Sequence, residues 1–365
     1  CFSFDHLRFI SEVSQVLYNN GMGIGQAFYG DSDMFDLLHG QRSLKNWSIC
    51  PPLSTITTNH PPFSIVLIVP LSLPQKFSEM LKLPVYMDHN ATTPCDPRVL
   101  EAMLPYFSKM YGNAASRTHS YGWEAEEAVK FARERVARLI HAIPEEIVFT
   151  SGATEADNLA IKGVYEMYAA KGNHIISVVS EHKAVLDTGK HLEKTGADIT
   201  WLSVKPDGLI SLNELESCIK PNTILISVMY ANNETGVIQP VKAISEIAKK
   251  HGVLFFTDAT QAVGKIAVDV IRDGIDLMAF SVHKIYGPKG VGALYVRRKD
   301  PRVKLTAQMD GGGHEKGMRS GTLNVPGIVG FGQACEICLN EMEIEGQRVS
   351  SLRDKLENAL LKAGD

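Results

Sequence analysis

The segment Asp276-Leu277-Met278-Ala279-Phe280-Ser281-Val282-His283-Lys284 joins an apolar run with strand character directly to a lysine. A hydroxyl and an imidazole precede that lysine, and the Gly-Pro turn of Ile285-Tyr286-Gly287-Pro288-Lys289-Gly290 follows it. The pattern predicts a strand that ends at an amine held in a fixed position. A strand-end lysine is often only solvated, but an amine between polar neighbours can also act as a nucleophile toward an aldehyde.

A carboxylate stands at the corresponding point of the preceding apolar run. Asp258 follows Val253-Leu254-Phe255-Phe256-Thr257, and Gln261 comes three residues later. Pyridoxal 5'-phosphate (PLP) needs a lysine for its aldehyde and a carboxylate for its pyridinium nitrogen. Two strand ends of one sheet can supply both groups, so the pair predicts a PLP site. A helix N-cap is the alternative role for Asp258.

From Val85 onward, strand patterns alternate with helical ones. The expected strands are Glu146–Thr150, His174–Val179, Asp198–Val204, Thr223–Tyr230, Val253–Thr257, Asp276–Phe280 and Val291–Arg297. The expected helices are Ser120–His141, Glu155–Ala170, Lys183–Thr195, Leu212–Lys220, Pro240–His251 and a long one after Val325-Pro326-Gly327 that runs to about Leu361. This alternation predicts an α/β fold with a mostly parallel seven-stranded sheet and helices on both faces.

Two polar clusters at predicted strand ends have the composition of a phosphate site. Ser151-Gly152-Ala153-Thr154 follows one strand and opens a helix, where small residues and free amides can hold an anion. A capped helix, with Glu155 completing a loose capping box, is the alternative. Ser281 and His283 form a second cluster beside Lys284, which favours the functional interpretation of that lysine.

Other strand ends carry residues suited to a planar cofactor. His182 can stack on a ring and relay protons near neutral pH, although a lone loop histidine is more often structural. Gln261 and Asn233 can donate amide hydrogens to a phenolic ring oxygen, with ordinary loop hydrogen bonding as the alternative. Because ligands of parallel sheets bind beyond the carboxyl ends of the strands, we expect these side chains to meet.

The bulk composition excludes several classes of function. A formal net charge of −4 and a pI near 6.3, without a basic stripe, argue against nucleic-acid binding. No apolar run is long enough to cross a membrane. Residues 1–84 carry Pro and Ser clusters without helical or strand rhythm, and we expect them to be an unassigned or disordered N-terminal extension.

The six cysteines are too scattered for a disulfide framework and fit a reducing compartment. Cys335-Glu336-Ile337-Cys338 lies on a predicted helix with both sulfurs on one apolar side, so a buried core role is expected rather than a redox or metal role. No zinc-binding spacing is present, and no metal site is predicted.

The stretch from Asp310 to Thr322 contains five glycines and cannot form regular structure. Glycine permits close backbone approach as well as mobility. The stretch is therefore either a mobile surface loop or a close contact with a ligand or a subunit.

From Val85 to about Leu361 the chain resembles the group I cysteine desulfurases, which are fold-type I, class V aminotransferase-like PLP enzymes. The motifs that carry the resemblance are Tyr86–Pro94, Phe149–Glu155, Ser180–Lys183, Asn232–Gly236, Asp258–Gln261, Ser281–Gly290 and Gly311–Thr322. They occur in the order and spacing of the family, over about three quarters of the chain.

The resemblance implies roles for individual residues. The implied PLP-binding set is Ala153, Thr154, His182, Asn233, Asp258, Gln261, Ser281, His283, Lys284 and Thr322. Lys284 would hold PLP as a Schiff base and later move the Cα proton, and His182 would stack on the ring and assist proton transfer. Asp258 would pair with the pyridinium. Thr322 would reach the phosphate of another subunit, which implies a homodimer.

The implied reaction converts L-cysteine and an acceptor thiol into L-alanine and a persulfide. The sulfur would serve iron–sulfur cluster and thio-cofactor assembly, so an iron–sulfur scaffold or another sulfur-acceptor protein is an expected partner. Neither nucleic acid nor a membrane is expected as a partner. The implied location is the cytoplasm, with mitochondria as the alternative.

The sequence departs from the family pattern at its C-terminal end. The family's nucleophilic cysteine and substrate-binding arginine correspond to positions beyond Asp365, and no motif assigns that role to a cysteine of this chain. We therefore expect a large PLP-binding domain at 85–335 and the start of a truncated small domain at 336–365. Two alternatives stay open: a selenocysteine lyase, and a non-catalytic PLP-binding scaffold subunit.

Overall fold

The computed structural model describes residues 84–363, and a seven-stranded sheet forms their centre. The strands are β1 (Ile147–Thr150), β2 (His174–Val178), β3 (Asp198–Leu202), β4 (Thr223–Ser227), β5 (Leu254–Asp258), β6 (Leu277–Ser281) and β7 (Gly292–Val296). Their order in the sheet is β1-β7-β6-β5-β4-β2-β3. All seven predicted strands are confirmed, with ends that differ by up to three residues.

Only β7 opposes the direction of the other described strands. It pairs antiparallel with both β1 and β6, whereas the remaining pairs are parallel. As a result β1 points the same way as β6, and the predicted mostly parallel sheet is confirmed. The carboxyl ends of β1, β2, β4, β5 and β6 therefore share one edge of the sheet, where a ligand is expected to bind.

Eight α-helices occur in the described part of the chain. They are α1 (Pro97–Met103), α2 (Pro105–Ser108), α3 (Ser120–Leu139), α4 (Ala153–Met167), α5 (Lys183–Glu193), α6 (Leu212–Ser217), α7 (Val241–Lys250) and α8 (Val325–Ala363). The six predicted helices are confirmed. The two short helices α1 and α2, each beginning at a proline, were not predicted, because their apolar pattern is too short to indicate a period.

Each central strand is buried on both faces, so the sheet separates two apolar layers. Ile147 and Phe149 of β1 belong to the layer that contains α3, α7 and α8, whereas Val148 belongs to the layer of α4 and α5. This alternation follows from the two-residue period of a strand. Helices α3 and α8 pack closely, since a Cβ on Gly332 would lie 2.6 Å from Cα of Ala132.

Residues from Asp88 onward form one compact unit. The predicted boundary between residues 335 and 336 lies inside α8, and the division into a large and a truncated small domain stays a prediction. The prediction for residues 1–84 falls, apart from Pro84, outside the described residues. Among the described helices, none is both long and apolar enough to cross a bilayer.

We expect Phe331 to be a principal packing residue of the α8 layer. Its ring is fully buried, 6.1 Å from that of Phe149 and 5.6 Å, edge-on, from that of Phe280. Phe331→Ala should lower the free energy of unfolding by about 3–5 kcal/mol, because it leaves a cavity between helix and sheet. Chemical denaturation measures the loss.

The matched control is Phe131→Ala on α3, because the Phe131 ring is 53% exposed. This change should alter the free energy of unfolding by less than about 0.5 kcal/mol. Equal losses in the two variants would contradict the described packing of α8.

Candidate active site

A cavity of about 840 Å³ lies at the sheet edge formed by the carboxyl ends of the strands. Nine of the ten predicted cofactor-binding residues line it: Ala153, Thr154, His182, Asn233, Asp258, Gln261, Ser281, His283 and Lys284. Thr322, the tenth, is exposed and does not line the cavity of its own chain. The structure thus brings together side chains that are up to 131 residues apart in sequence, from Ala153 to Lys284.

Lys284 ends a short 3₁₀ turn, Val282–Lys284, that directly follows β6. Its Nζ donates a hydrogen bond to the backbone oxygen of Asn90 at 2.6 Å. Partial burial lowers the pKa of the Lys284 amine below its ordinary value, and the charges of Asp258 and Asp88 oppose this effect. A lowered pKa makes a larger fraction of the amine available as a nucleophile.

The turn that carries Lys284 is fixed by a threonine far away in sequence. The backbone N–H and the hydroxyl of Thr93 both donate to the backbone oxygen of His283, at 2.9 and 3.0 Å. The same hydroxyl accepts the N–H of Tyr286 at 2.8 Å. Thr93 therefore anchors the chain on both sides of Lys284, and it is itself buried.

His283 is held by Thr92, the residue before Thr93. Its Nδ1 lies 3.1 Å from the hydroxyl of Thr92. Partial burial, followed by the charges of Lys284 and Lys289, lowers the pKa of His283 below its ordinary value. A neutral imidazole beside Ser281 can contribute one hydrogen-bond donor to an anion.

Asp258 ends β5 and is buried, with one carboxylate oxygen fixed by the N–H of Thr260 at 2.9 Å. A buried carboxylate needs a cationic or donor partner to offset its desolvation. Asp258 and Lys284 come from neighbouring strands, β5 and β6, and face the same cavity. The N-cap alternative for Asp258 is not what the structure shows, because the segment after it forms turns rather than a helix.

Two further carboxyl groups lie behind Asp258 and were not predicted. Asp157 is fully buried on α4, and neither of its side-chain oxygens has a hydrogen-bond partner among the described residues. Glu181 is also buried; one oxygen accepts the N–H of Met229 at 2.6 Å and the other has no such partner. Burial first, and then repulsion by the charge of Asp258, raises the pKa of Asp157 well above the ordinary range. Burial raises the pKa of Glu181 in the same way, although the hydrogen bond from Met229 opposes the effect.

Asp157, His182 and Asp258 each place one possible metal-ligand atom within 4.8 Å of the others. The hydrogen bonding of His182 argues against a metal at this place. His182 caps α5, and its Nδ1 accepts the N–H of Ala184 at 3.2 Å. The Nε2 atom therefore carries the proton, and a metal bound there would require the cap to break.

The loop Ser151–Thr154 after β1, termed the anion cradle, has the backbone geometry of an anion-binding site. Helix α4 begins at Ala153 with Gly152 as its N-cap and without a side-chain cap, which leaves its first amides open to a ligand. The predicted loose capping box is only partly present, because Glu155 accepts the N–H of Ser151. A Cβ on Gly292 of β7 would lie 2.7 Å from the backbone of Gly152, so glycine is needed for this approach.

The glycine-rich loop is anchored to the sheet rather than free. Glu315 is buried, accepts the N–H of Phe149 at 2.7 Å and pairs with Arg133 at 2.6 Å. Arg319 pairs with Glu155 at 2.7 Å, and this places the loop against the anion cradle. These contacts are made within the chain, and the predicted close approach to a ligand or a subunit stays a prediction.

The described cysteines do not line the cavity. Cys335 and Cys338 are buried in the core, which confirms the prediction for the C-x-x-C motif. Burial raises the pKa of Cys338 to about 12 and that of Cys335 well above its ordinary value. Neither thiol is thus suited to act as a thiolate nucleophile.

Comparison with known proteins identifies the family. The Aminotransferase class-V family matches residues 85–365. The chain belongs to this family. It is 57% identical to the cysteine desulfurase IscS of Anaeromyxobacter sp. (strain K) over 285 residues, which cover 78% of this chain and 70% of that protein.

Solved structures agree with the sequence match. A NifS-like protein has a TM-score of 0.73 at 42% identity, with 76% of each chain covered. The structure of SspA in complex with cysteine has a TM-score of 0.66 at 44% identity, with 69% of this chain and 72% of that one covered. The predicted resemblance to cysteine desulfurases and the predicted fold-type I architecture are confirmed.

Proteins of this family depend on PLP, and the cavity fits that cofactor. A Cβ on Gly152 would lie 4.0 Å from the hydroxyl oxygen of Ser281, so the anion cradle and the polar cluster of Ser281 face each other across a short gap. Asp258 offers a buried carboxylate, and Lys284 offers an amine whose pKa is lowered. These three features match the phosphate, the pyridinium nitrogen and the aldehyde of PLP.

We expect Asp157→Asn to stabilise the apo-protein at neutral pH. The pKa of Asp157 is raised in the folded state, so the carboxyl favours folding fully only below its unfolded pKa of about 3.9 and loses that contribution as the pH rises. An amide has no such titration. The unfolding temperature of Asp157→Asn should exceed that of the wild type at pH 7, and the difference should shrink toward pH 4.

Asp187→Asn on α5 is the matched control, because the Asp187 side chain is 71% exposed. Its unfolding temperature should follow that of the wild type across the same pH range. An Asp157→Asn variant that is less stable than the wild type at pH 7 would show that Asp157 is ionised and paired.

Proposed function

We propose that this protein is a PLP-dependent cysteine desulfurase that converts L-cysteine to L-alanine and transfers the sulfur to an acceptor thiol as a persulfide. The carbon–sulfur bond of cysteine breaks, a sulfur–sulfur bond forms on the acceptor, and the proton lost by the acceptor thiol is gained at the carbon that becomes the methyl group of alanine. The supporting observation is one cavity in which the amine of Lys284 faces the carboxylate of Asp258. When bound, PLP withdraws electrons from the substrate Cα.

In this proposal Lys284, His182 and Asp258 have separate roles, which follow from their positions in the cavity. Lys284 Nζ holds the cofactor, and then takes and returns the proton at the substrate Cα. His182 covers the ring and moves a proton at Nε2, because its Nδ1 is occupied by the N–H of Ala184. Asp258 keeps the pyridinium nitrogen protonated, and its burial strengthens that pairing.

Four groups around the anion cradle would bind the phosphate: Ala153, Thr154, Ser281 and His283. Asn233 and Gln261 would contact the ring oxygen and the substrate side. We propose that Thr322, which is exposed on its own chain, completes the phosphate site of a second copy. The proposed assembly is accordingly a homodimer.

We further propose that the acceptor thiol is none of the four described cysteines, since none of them lines the cavity. The ultimate acceptor in this proposal is an iron–sulfur scaffold or another sulfur-acceptor protein. The proposed location is the cytoplasm, with mitochondria as the alternative.

Lys284→Ala should abolish covalent binding of PLP. The purified wild-type protein, incubated with PLP and reduced with borohydride, should gain the mass of one reduced PLP, and peptide mapping should locate it on Lys284. The variant should gain no mass at the active site, because the cavity amine that faces Asp258 has been removed.

Lys289→Ala is the control for this experiment, since Lys289 also lines the cavity but is exposed. It should still label at Lys284. Labelling of another lysine in the wild-type protein, or undiminished labelling of Lys284→Ala, would contradict the assignment.

The proposed reaction predicts equal amounts of L-alanine and persulfide sulfur. The PLP-loaded protein, supplied with L-cysteine and dithiothreitol as the acceptor thiol, should release one alanine for each sulfide recovered. Cys95→Ser should not change the rate, because the Cys95 thiol lies outside the cavity and burial raises its pKa. Release of pyruvate and ammonia instead of alanine would assign the site to β-elimination.

A further inference from the structure

Lys265 lies behind the active site in the turn after β5. Gly264, which precedes it, has φ +74°, and a Cβ there would lie 2.8 Å from Cγ2 of Ile285 and 2.9 Å from Sγ of Cys338. Only glycine therefore lets this turn pack against both the lysine turn and α8. The packing leaves Lys265 half-buried, with its amine on the side of the cavity.

A chain of three hydrogen bonds connects Lys265 with Lys284. Lys265 Nζ donates to Oε1 of Gln261 at 2.5 Å, and Nε2 of Gln261 donates to the backbone oxygen of Asn90 at 2.9 Å. Lys284 Nζ donates to that same oxygen at 2.6 Å. An ammonium group can only donate and a backbone oxygen can only accept, so Lys265 and Asn90 together decide which end of the Gln261 amide is its oxygen.

The orientation of Gln261 matters for the cavity that it lines. With Oε1 turned toward Lys265, the amide presents its N–H groups on the side of Asn90 and Lys284. Without Lys265, only the bond from Nε2 to the oxygen of Asn90 would hold this orientation, and the reversed amide, which has nearly the same shape, would become more accessible. The reversed amide would offer an acceptor where the proposed ring contact needs a donor.

Several charged groups surround the two amines. Asp258 and Asp88 act on Lys284 from the cavity side, and Glu343 and Asp354 of α8 line the groove that contains the stem of Lys265. Burial, followed by repulsion from Lys284, lowers the pKa of Lys265 to about 8. The ammonium form of Lys265 still predominates at neutral pH and donates the stronger bond to the amide.

We propose that Lys265 is a positioning residue that fixes the side-chain amide of Gln261 with its nitrogen toward the cofactor cavity. The inference rests on the proposed function, because the orientation of the amide matters only if Gln261 binds the ring oxygen of the cofactor. It extends the active site by one residue that does not itself contact the cofactor. Lys265 acts through Gln261 and keeps a donor and a positive charge beside the ring oxygen.

The test is a pH titration of the visible absorbance of the PLP-loaded protein. The link between a lysine and PLP changes colour when it loses its proton. A donor and a positive charge near the ring oxygen favour that loss. Lys265→Met should therefore raise the midpoint of the colour change by about one pH unit, because the free energy of one lost hydrogen bond corresponds to a shift of about that size.

Lys265→Arg retains a donor and a charge, and it should restore most of the wild-type midpoint. Lys242→Met on α7 is the control for removal of one exposed positive charge, and its midpoint should equal that of the wild type. Thermal unfolding of each apo-variant shows whether the fold is retained. Equal midpoints for Lys265→Met and Lys242→Met would overturn the inference.

A double-mutant cycle tests whether Lys265 acts through Gln261. In a Gln261→Leu background, Lys265→Met should shift the midpoint by less than half of its effect in the wild type, since the amide is no longer there to be positioned. Equal shifts in both backgrounds would show that Lys265 acts by charge alone and would overturn the positioning role. A wild-type protein that gives no visible band would instead contradict the proposed function itself.

Discussion

The parallel pairing of β5 with β6, in which Asp258 stands beside Ala279, is the constraint on which the active site depends. It fixes the distance along the sheet between the carboxylate that ends β5 and the lysine turn that follows β6. A slip of one residue would turn Asp258 away from the cavity and into the opposite apolar layer. The register is strongly specified because both faces of these strands are buried, with Phe255 and Phe256 on opposite sides.

The site imposes a cost on the stability of the same sheet. Three carboxyl groups, Asp157, Glu181 and Asp258, are buried within a few ångströms of apolar packing, and several of their oxygens lack partners in the described structure. Such groups destabilise a fold unless a proton or a cation compensates them. Their presence at one place fits a site whose charge balance is completed by a bound cation such as a pyridinium. Packing of Phe331 against Phe149 and Phe280, on the opposite face of the sheet, contributes stabilising free energy that offsets this cost.

The sequence predicted the sheet, the main helices and nine of the cavity residues, because each of these has a local pattern. Strand ends followed by polar clusters are such a pattern, and a parallel sheet brings those ends together. The anchors were not predictable in this way: Thr93 fixes the turn of Lys284 across 190 residues of sequence, and Lys265 meets Gln261 in an irregular turn that contains Gly264 at a positive φ. Asp157 did leave a signal, since it shares a helical face with the buried residues Ala160, Ile161 and Val164.

The anion cradle and the glycine-rich loop behave as one structural part. Glu155 accepts the N–H of Ser151 within the cradle and pairs with Arg319 in the loop, and so the same carboxylate orders both. Thr322 lies three residues after Arg319, and its position is therefore tied to the cradle of its own chain although its side chain faces solvent. In the proposed homodimer, the ion pair between Glu155 and Arg319 would hold the loop that carries Thr322 in place for the phosphate site of the second copy.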